Sequence, residues 1–148
     1  MNILRCKLCN IVFSSYRSDT LFCCSKHAHK GNYIENMLNP EWRLKKLISM
    51  AKNRAKKKNL SFDLDIDFLL FLWYKNKGSC SLTGIPFILE PMEKLGQVNP
   101  RAPSIDRIAP ELGYTKENIR LITYHMNVAL SEYGIEEFEK LVTNYKSY

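Results

Sequence analysis

Four of the five cysteines of this 148-residue chain stand within its first 24 positions, and their spacing restricts what that segment can become. Cys6-Lys7-Leu8-Cys9 places two thiols on one tight turn, and Phe22-Cys23-Cys24-Ser25-Lys26-His27-Ala28-His29 follows after a polar stretch. So short a segment cannot bury a core of its own, so a bound metal has to hold it together. A CxxC pair followed by a second Cys/His group suits a closed, tetrahedral, structural zinc site. Cys6, Cys9, Cys23 and His27 are the expected ligands, because Cys23 and His27 stand one helical turn apart; Cys24 and His29 are the alternates. A disulfide is the competing arrangement. The odd cysteine total, the CxxC and the lack of a secretion signal weigh against it, and no βαβ pattern surrounds the CxxC to suggest a redox motif.

Charge is concentrated rather than spread. Residues 41–60 carry Arg43, Lys45, Lys46, Lys52, Arg54, Lys56, Lys57 and Lys58 against Glu41 alone, so this segment holds a charge of +7, equal to the whole chain's net charge. Residues 1–40 are at +3 and residues 61–148 at −3. A block of this kind is what a polyphosphate-binding surface needs; a solvated helix face is the bland alternative. The apolar residues Leu44, Leu47, Ile48, Ala51 and Ala55 recur within it at spacings of three and four. That is the stripe of an amphipathic helix, started by Asn39-Pro40, with the cations on its other faces. No apolar run approaches the roughly 20 residues of a membrane-spanning helix, and the expected location is the cytoplasm.

Further along, Ser61-Phe62-Asp63-Leu64 alternates like a short strand, and Asp65 or Asp67 is placed to cap an apolar helix through residues 68–74 that Gly78 ends. Phe71 and Trp73 are expected in its core. Residues 90–102 read as a loop, and residues 131–148 as a final helix with Ile135, Phe138, Leu141 and Val142 on its apolar stripe. Gly31-Asn32 is expected to end the N-terminal unit, and no internal repeat is evident. The expected organisation is α+β: a zinc-finger-like segment over residues 1–32, a basic amphipathic helix over 33–60, and a core over 61–148.

Within that core, Pro103-Ser104-Ile105-Asp106-Arg107-Ile108 is followed by Gly113-Tyr114-Thr115-Lys116-Glu117-Asn118-Ile119-Arg120-Leu121 and then by His125-Met126-Asn127. This ordered set resembles the HNH endonuclease family, also called ββα-metal or His-Me finger. The preceding wording, a lysine-rich helix and then Cys80-Ser81-Leu82-Thr83-Gly84-Ile85-Pro86-Phe87, is similar to small HNH proteins of bacteriophages. The resemblance implies a strand carboxylate, Asp106, and a helix residue, Asn127, as ligands of a catalytic Mg²⁺ or Mn²⁺. It implies that Asn118 braces the loop between strands. Many members carry a second zinc knuckle at the Cys80 position; here Cys80 is followed by Thr83 and no CxxC precedes the helix, so Cys80 is expected to be a buried thiol.

The position of the family's general-base histidine is Arg107. Arginine has no acceptor and stays protonated, so its expected role is a phosphate clamp. His125 lies two residues from Asn127 and therefore on another helix face, whereas Tyr124, three residues before it, shares its face. The expected activity is metal-dependent hydrolysis of DNA phosphodiesters, nicking or double-stranded. A fold-preserving nucleic-acid-binding protein without cleavage is the alternative, and a zinc-dependent adaptor is the third reading. Duplex DNA is the expected partner, with homodimerisation compatible.

Overall fold

A computed structural model of the chain describes residues 1–92 and 97–147. The elements run β1 (Asn2–Arg5), β2 (Val12–Ser15), α1 (Ser25–Met37), α2 (Pro40–Lys58), α3 (Ile66–Lys75), β3 (Pro103–Arg107), a 3₁₀ turn at Pro110–Leu112, β4 (Ile119–Thr123), α4 (Tyr124–Leu130) and α5 (Gly134–Lys146). The class is α+β. β1 and β2 form one antiparallel hairpin and β3 and β4 another, with Asp106 directly opposite Arg120 in the second. Among the described residues no helix is long and apolar enough to cross a membrane.

α2 organises the centre. Asn39 caps it, its side chain accepting from the N–H groups of Glu41 and Trp42, and Pro40 occupies the first turn, where no N–H partner is lost. Leu44, Leu47, Ala51 and Ala55 are all buried, packing with Leu69 of α3 and with Ile105, Ile119 and Leu121 of the β3–β4 pair. Alanine at two of the four stripe positions lets the helix approach closely.

Period-two alternation splits the second hairpin between two cores. Ile105, Ile119 and Leu121 face α2 and α3, while Ile122 joins Cys80 and Leu130 in a smaller cluster that Phe87, Met126, Ile135 and Phe138 cover. α4 thus lies across the opposite face of the β3–β4 pair from α2.

Several elements differ from the sequence expectations. α1 runs on through Gly31 and Asn32. Gly31 serves close packing there rather than a stop, since a Cβ at that position would lie 2.2 Å from the Phe22 ring. Residues 61–64 make only one bridge, Phe62 to Tyr114, instead of a strand. α3 begins at Ile66 under an Asp65 cap, whose Oδ1 accepts from the Phe68 N–H at 2.8 Å. Trp73 stacks on Phe87 at 5.3 Å, but Phe71 is 57% exposed and lies beneath Lys75, so it is not a core residue. The last helix starts at Gly134, and Leu141 of its expected stripe is 62% exposed. The expected loop over 90–102 includes residues 93–96, which lie outside the described residues, as does Tyr148.

Candidate metal and nucleic-acid sites

The four first-choice zinc ligands converge. The ligand atoms of Cys6, Cys9, Cys23 and His27 all lie within 4.8 Å of one another. Cys9 Sγ and Cys23 Sγ are 3.7 Å apart, Cys6 Sγ and His27 Nδ1 are 3.7 Å apart, and Cys23 Sγ and His27 Nδ1 are 3.1 Å apart. A tetrahedron with Zn–S bonds of about 2.3 Å has edges of about 3.8 Å, so the donor set fits a zinc ion with little adjustment. The β1–β2 hairpin presents Cys6 and Cys9, and the first turn of α1 presents His27 one turn beyond Cys23. Cys24, which is the N-cap of α1, and His29 are exposed and outside the cluster. Burial pushes the Cys6 thiol up, but the N–H groups of Cys23, Cys9 and Leu8 outweigh it and bring its pKa down to about 5. Burial and hydrogen bonds with Cys9, Cys6 and Cys24 push Cys23 up to about 12.

The second site lies on the α4 side of the β3–β4 pair, where alternation puts Ser104, Asp106 and Arg120 together. Asp106 is buried, and its Oδ2 accepts from Arg120 Nε at 2.7 Å. Asn127 donates its Nδ2 to Ser104 Oγ at 2.7 Å and to the Ile105 carbonyl at 3.2 Å. A carbonyl can only accept, so this contact fixes which end of the amide is which. No donor among the described residues reaches Asp106 Oδ1 or Asn127 Oδ1, and neither atom is a sealed, unpaired polar group. Two hard oxygens therefore remain available on one face of the sheet.

The loop between the strands is stapled from within. Asn118 Oδ1 accepts from the Ala109 N–H at 2.9 Å, while its Nδ2 donates to the carbonyls of Ala109 and Gly113 at 2.7 and 2.8 Å. Gly113 has φ +79° and packs where a Cβ would fall 2.5 Å from the Ser61 carbonyl, so only glycine fits.

Asp106 and Arg107 leave β3 on opposite faces. Arg107 Nη1 donates to the Pro110 carbonyl at 2.6 Å and its guanidinium lies 5.0 Å over the ring of Tyr114, on the α2 side. Tyr124 is half exposed at the first turn of α4, and His125 is exposed.

On α2, Lys45, Lys46, Lys52, Arg54, Lys56, Lys57 and Lys58 are exposed. Lys45 pairs with Glu41, Lys46 lies over Trp42, and Arg54 lies 5.7 Å over Tyr114. Arg43 departs from the set: it lines a cleft with Tyr33 and Met37, its Nε is buried without a partner, and burial lowers its pKa.

Sequence reasoning missed Ser104 and Arg120. Ser104 is signalled by its i, i−2 relation to Asp106, and Arg120 by a hairpin that closes at Ile108 and Asn118, where the Ile108 N–H donates to the Asn118 carbonyl at 2.8 Å. The sequence matches no family model, no curated protein and no solved structure.

Proposed function

We propose that this chain is a metal-dependent DNA endonuclease of HNH type, with a zinc-bound N-terminal knuckle and a basic helix that hold the duplex. The observation that carries this reading is the pairing of Asp106 and Asn127 on one sheet face, each with an oxygen left without a protein donor. Carboxylate and amide oxygens suit Mg²⁺ or Mn²⁺, which keep several water or phosphate ligands beside one or two protein ones. Bound there, the cation would neutralise charge on the scissile phosphate and on the leaving oxygen. Ser104 and the Ile105 carbonyl hold the Asn127 amide in place, and Asn118 holds the loop that follows Asp106. Arg107 donates but cannot take a proton from water. Tyr124, at the start of α4, is the chain's own candidate to orient the water.

The alternative is a DNA-binding protein of the same fold without cleavage. It is favoured by the Asp106–Arg120 ion pair, only 8% and 19% exposed at its two side chains, which neutralises the carboxylate with an internal cation.

The test is cleavage of a labelled duplex by zinc-loaded protein with Mg²⁺ or Mn²⁺. Cutting that falls by more than about a hundredfold in Asp106→Ala, beyond the effect of an outer-shell partner, with DNA binding retained, supports the endonuclease. Binding with no products in any divalent metal leaves the binding protein.

A further inference from the structure

We propose that Arg54 of α2 and Arg107 of β3 together form one seat for a DNA backbone phosphate, built on the ring of Tyr114 and separate from the phosphate that faces Asp106. This rests on the DNA-acting reading above and deepens it. Both guanidinium groups lie over the same ring, at 5.7 and 5.0 Å from its centre, although they come from elements distant in sequence. The ring itself is fixed. Tyr114 is 5% exposed, its N–H donates to the Ser61 carbonyl at 2.9 Å, and its carbonyl accepts from the Asp63 N–H at 3.2 Å.

Two cations held at one aromatic ring repel each other. Among the described residues neither Arg54 nor Arg107 has an acidic partner within salt-bridge distance. Each guanidinium carries five donors; Arg107 commits one to the Pro110 carbonyl, and no hydrogen bond to Arg54 side-chain donors is present among the described residues. A phosphodiester supplies a compensating charge and acceptor oxygens in the planar geometry that a guanidinium fork matches.

The position of the seat also separates it from the scissile phosphate. Arg107 and Asp106 are neighbours on β3 and point to opposite faces, so Arg107 reaches the α2 side while Asp106 reaches the α4 side. The seat joins the exposed cations Lys56, Lys57 and Lys58 at the end of α2 to the edge of the β3–β4 pair, and so lies on a track between the basic helix and the candidate site. Arg107 is thereby a DNA-positioning residue.

The experiment is the salt dependence of affinity for a fluorescent duplex, measured by anisotropy on zinc-loaded full-length protein without divalent metal. The variants are Arg54→Ala, Arg107→Gln, their double, and Lys57→Ala combined with Arg107→Gln. Glutamine keeps a donor for Pro110, and thermal melting verifies that each variant folds. Each backbone phosphate neutralised contributes about 0.9 to the slope of log affinity against log salt. With both arginines required to hold the one phosphate, each single variant and the Arg54/Arg107 double lose about one such increment, whereas the Lys57/Arg107 double loses about two. Loss of two increments in the Arg54/Arg107 double, or of none, overturns the seat while leaving the DNA reading intact. A wild-type protein with no salt-dependent DNA binding overturns both.

Discussion

In residues 6–11 and 80–85 the chain makes one turn twice. The Cys6 N–H donates to the Ile11 carbonyl and the Asn10 N–H returns to the Cys6 carbonyl, both at 2.9 Å; Cys80 with Ile85, and Gly84 with Cys80, repeat these bonds at the same distances. Asn10 and Gly84 share a left-handed conformation, φ +61° and +68°. The next N–H in each, Lys7 or Ser81, reaches a distant leucine carbonyl, Leu21 or Leu121. Two residues beyond that leucine, Cys23 or Thr123 turns its N–H onto the first thiol, beside N–H groups from Leu8 and Cys9 or from Leu82 and Thr83. Cys80 is accordingly lowered, burial opposing and the Thr83 hydroxyl and these N–H groups prevailing.

The difference lies in what fills each knuckle. The N-terminal one carries Cys9, Cys23 and His27, whereas the core one carries Thr83, Thr123 and Asn127 at the corresponding positions. The N-terminal hairpin also leaves Ile3 78% and Val12 51% exposed, while Cys80 sits among fully buried Ile122 and Leu130. One turn thus carries a donor set able to hold a metal in one place and is packed into a core in the other. In the packed copy, the position corresponding to His27 presents the Asn127 amide instead.

Metal removal should separate the two knuckles most strongly. The N-terminal unit should bind one zinc per chain, with a contribution of about 10–16 kcal/mol at neutral pH. Cys9→Ser and Cys23→Ser should each abolish binding in metal analysis, and chelation should expose the amides of residues 1–37 to rapid hydrogen exchange while those of β3 and β4 stay protected. Equal protection before and after chelation would show that both knuckles are held by packing.

Damage to the packed copy should cost less, and independently of metal. Leu121→Ala should destabilise by about 2–5 kcal/mol by opening a cavity between α2 and the sheet, and Asn118→Ala by about 3 kcal/mol through unpaired loop groups. Denaturant unfolding reads both, with zinc content unchanged.

Cys80→Ala should cost about 1 kcal/mol. Thr83→Cys should leave metal content at one zinc per chain, because two corners of four do not make a closed site; a second equivalent of zinc would contradict the division between the knuckles.

The smallest effect is electrostatic. Lys116 and the backbone N–H of Phe68 hold the Asp65 carboxyl below its ordinary value, and Asp65 with Asp63 and Asp67 raises Lys116. A depressed carboxylate stabilises above its unfolded pKa and loses that contribution as pH falls through the folded one. The small stability difference between wild type and Asp65→Asn should thus be complete near neutral pH and vanish under strong acid in pH-dependent melting curves.

Sequence periodicity sufficed for α2 because Leu44, Leu47, Ala51 and Ala55 keep a helical spacing over about three turns, and for the Cys6, Cys9, Cys23 and His27 cluster because CxxC and a one-turn Cys–His spacing are local. The Cys80 knuckle was legible only as the place where the family resemblance puts a second zinc knuckle, because Thr83 and Thr123 keep its hydrogen bonds but not its ligand types. The outward turn of Arg107 depends on strand alternation at a strand end, and the Asp106–Arg120 pair on hairpin register, both non-local. Phe71 misled because an apolar helix buries one face only.

The most direct measurement is Mn²⁺ binding by electron paramagnetic resonance on zinc-loaded protein with duplex DNA. One Mn²⁺ per chain, lost in Asp106→Ala, is the predicted result and means that the cation competes successfully with Arg120 for the carboxylate. No bound Mn²⁺, or equal binding in the variant, would contradict the nuclease site.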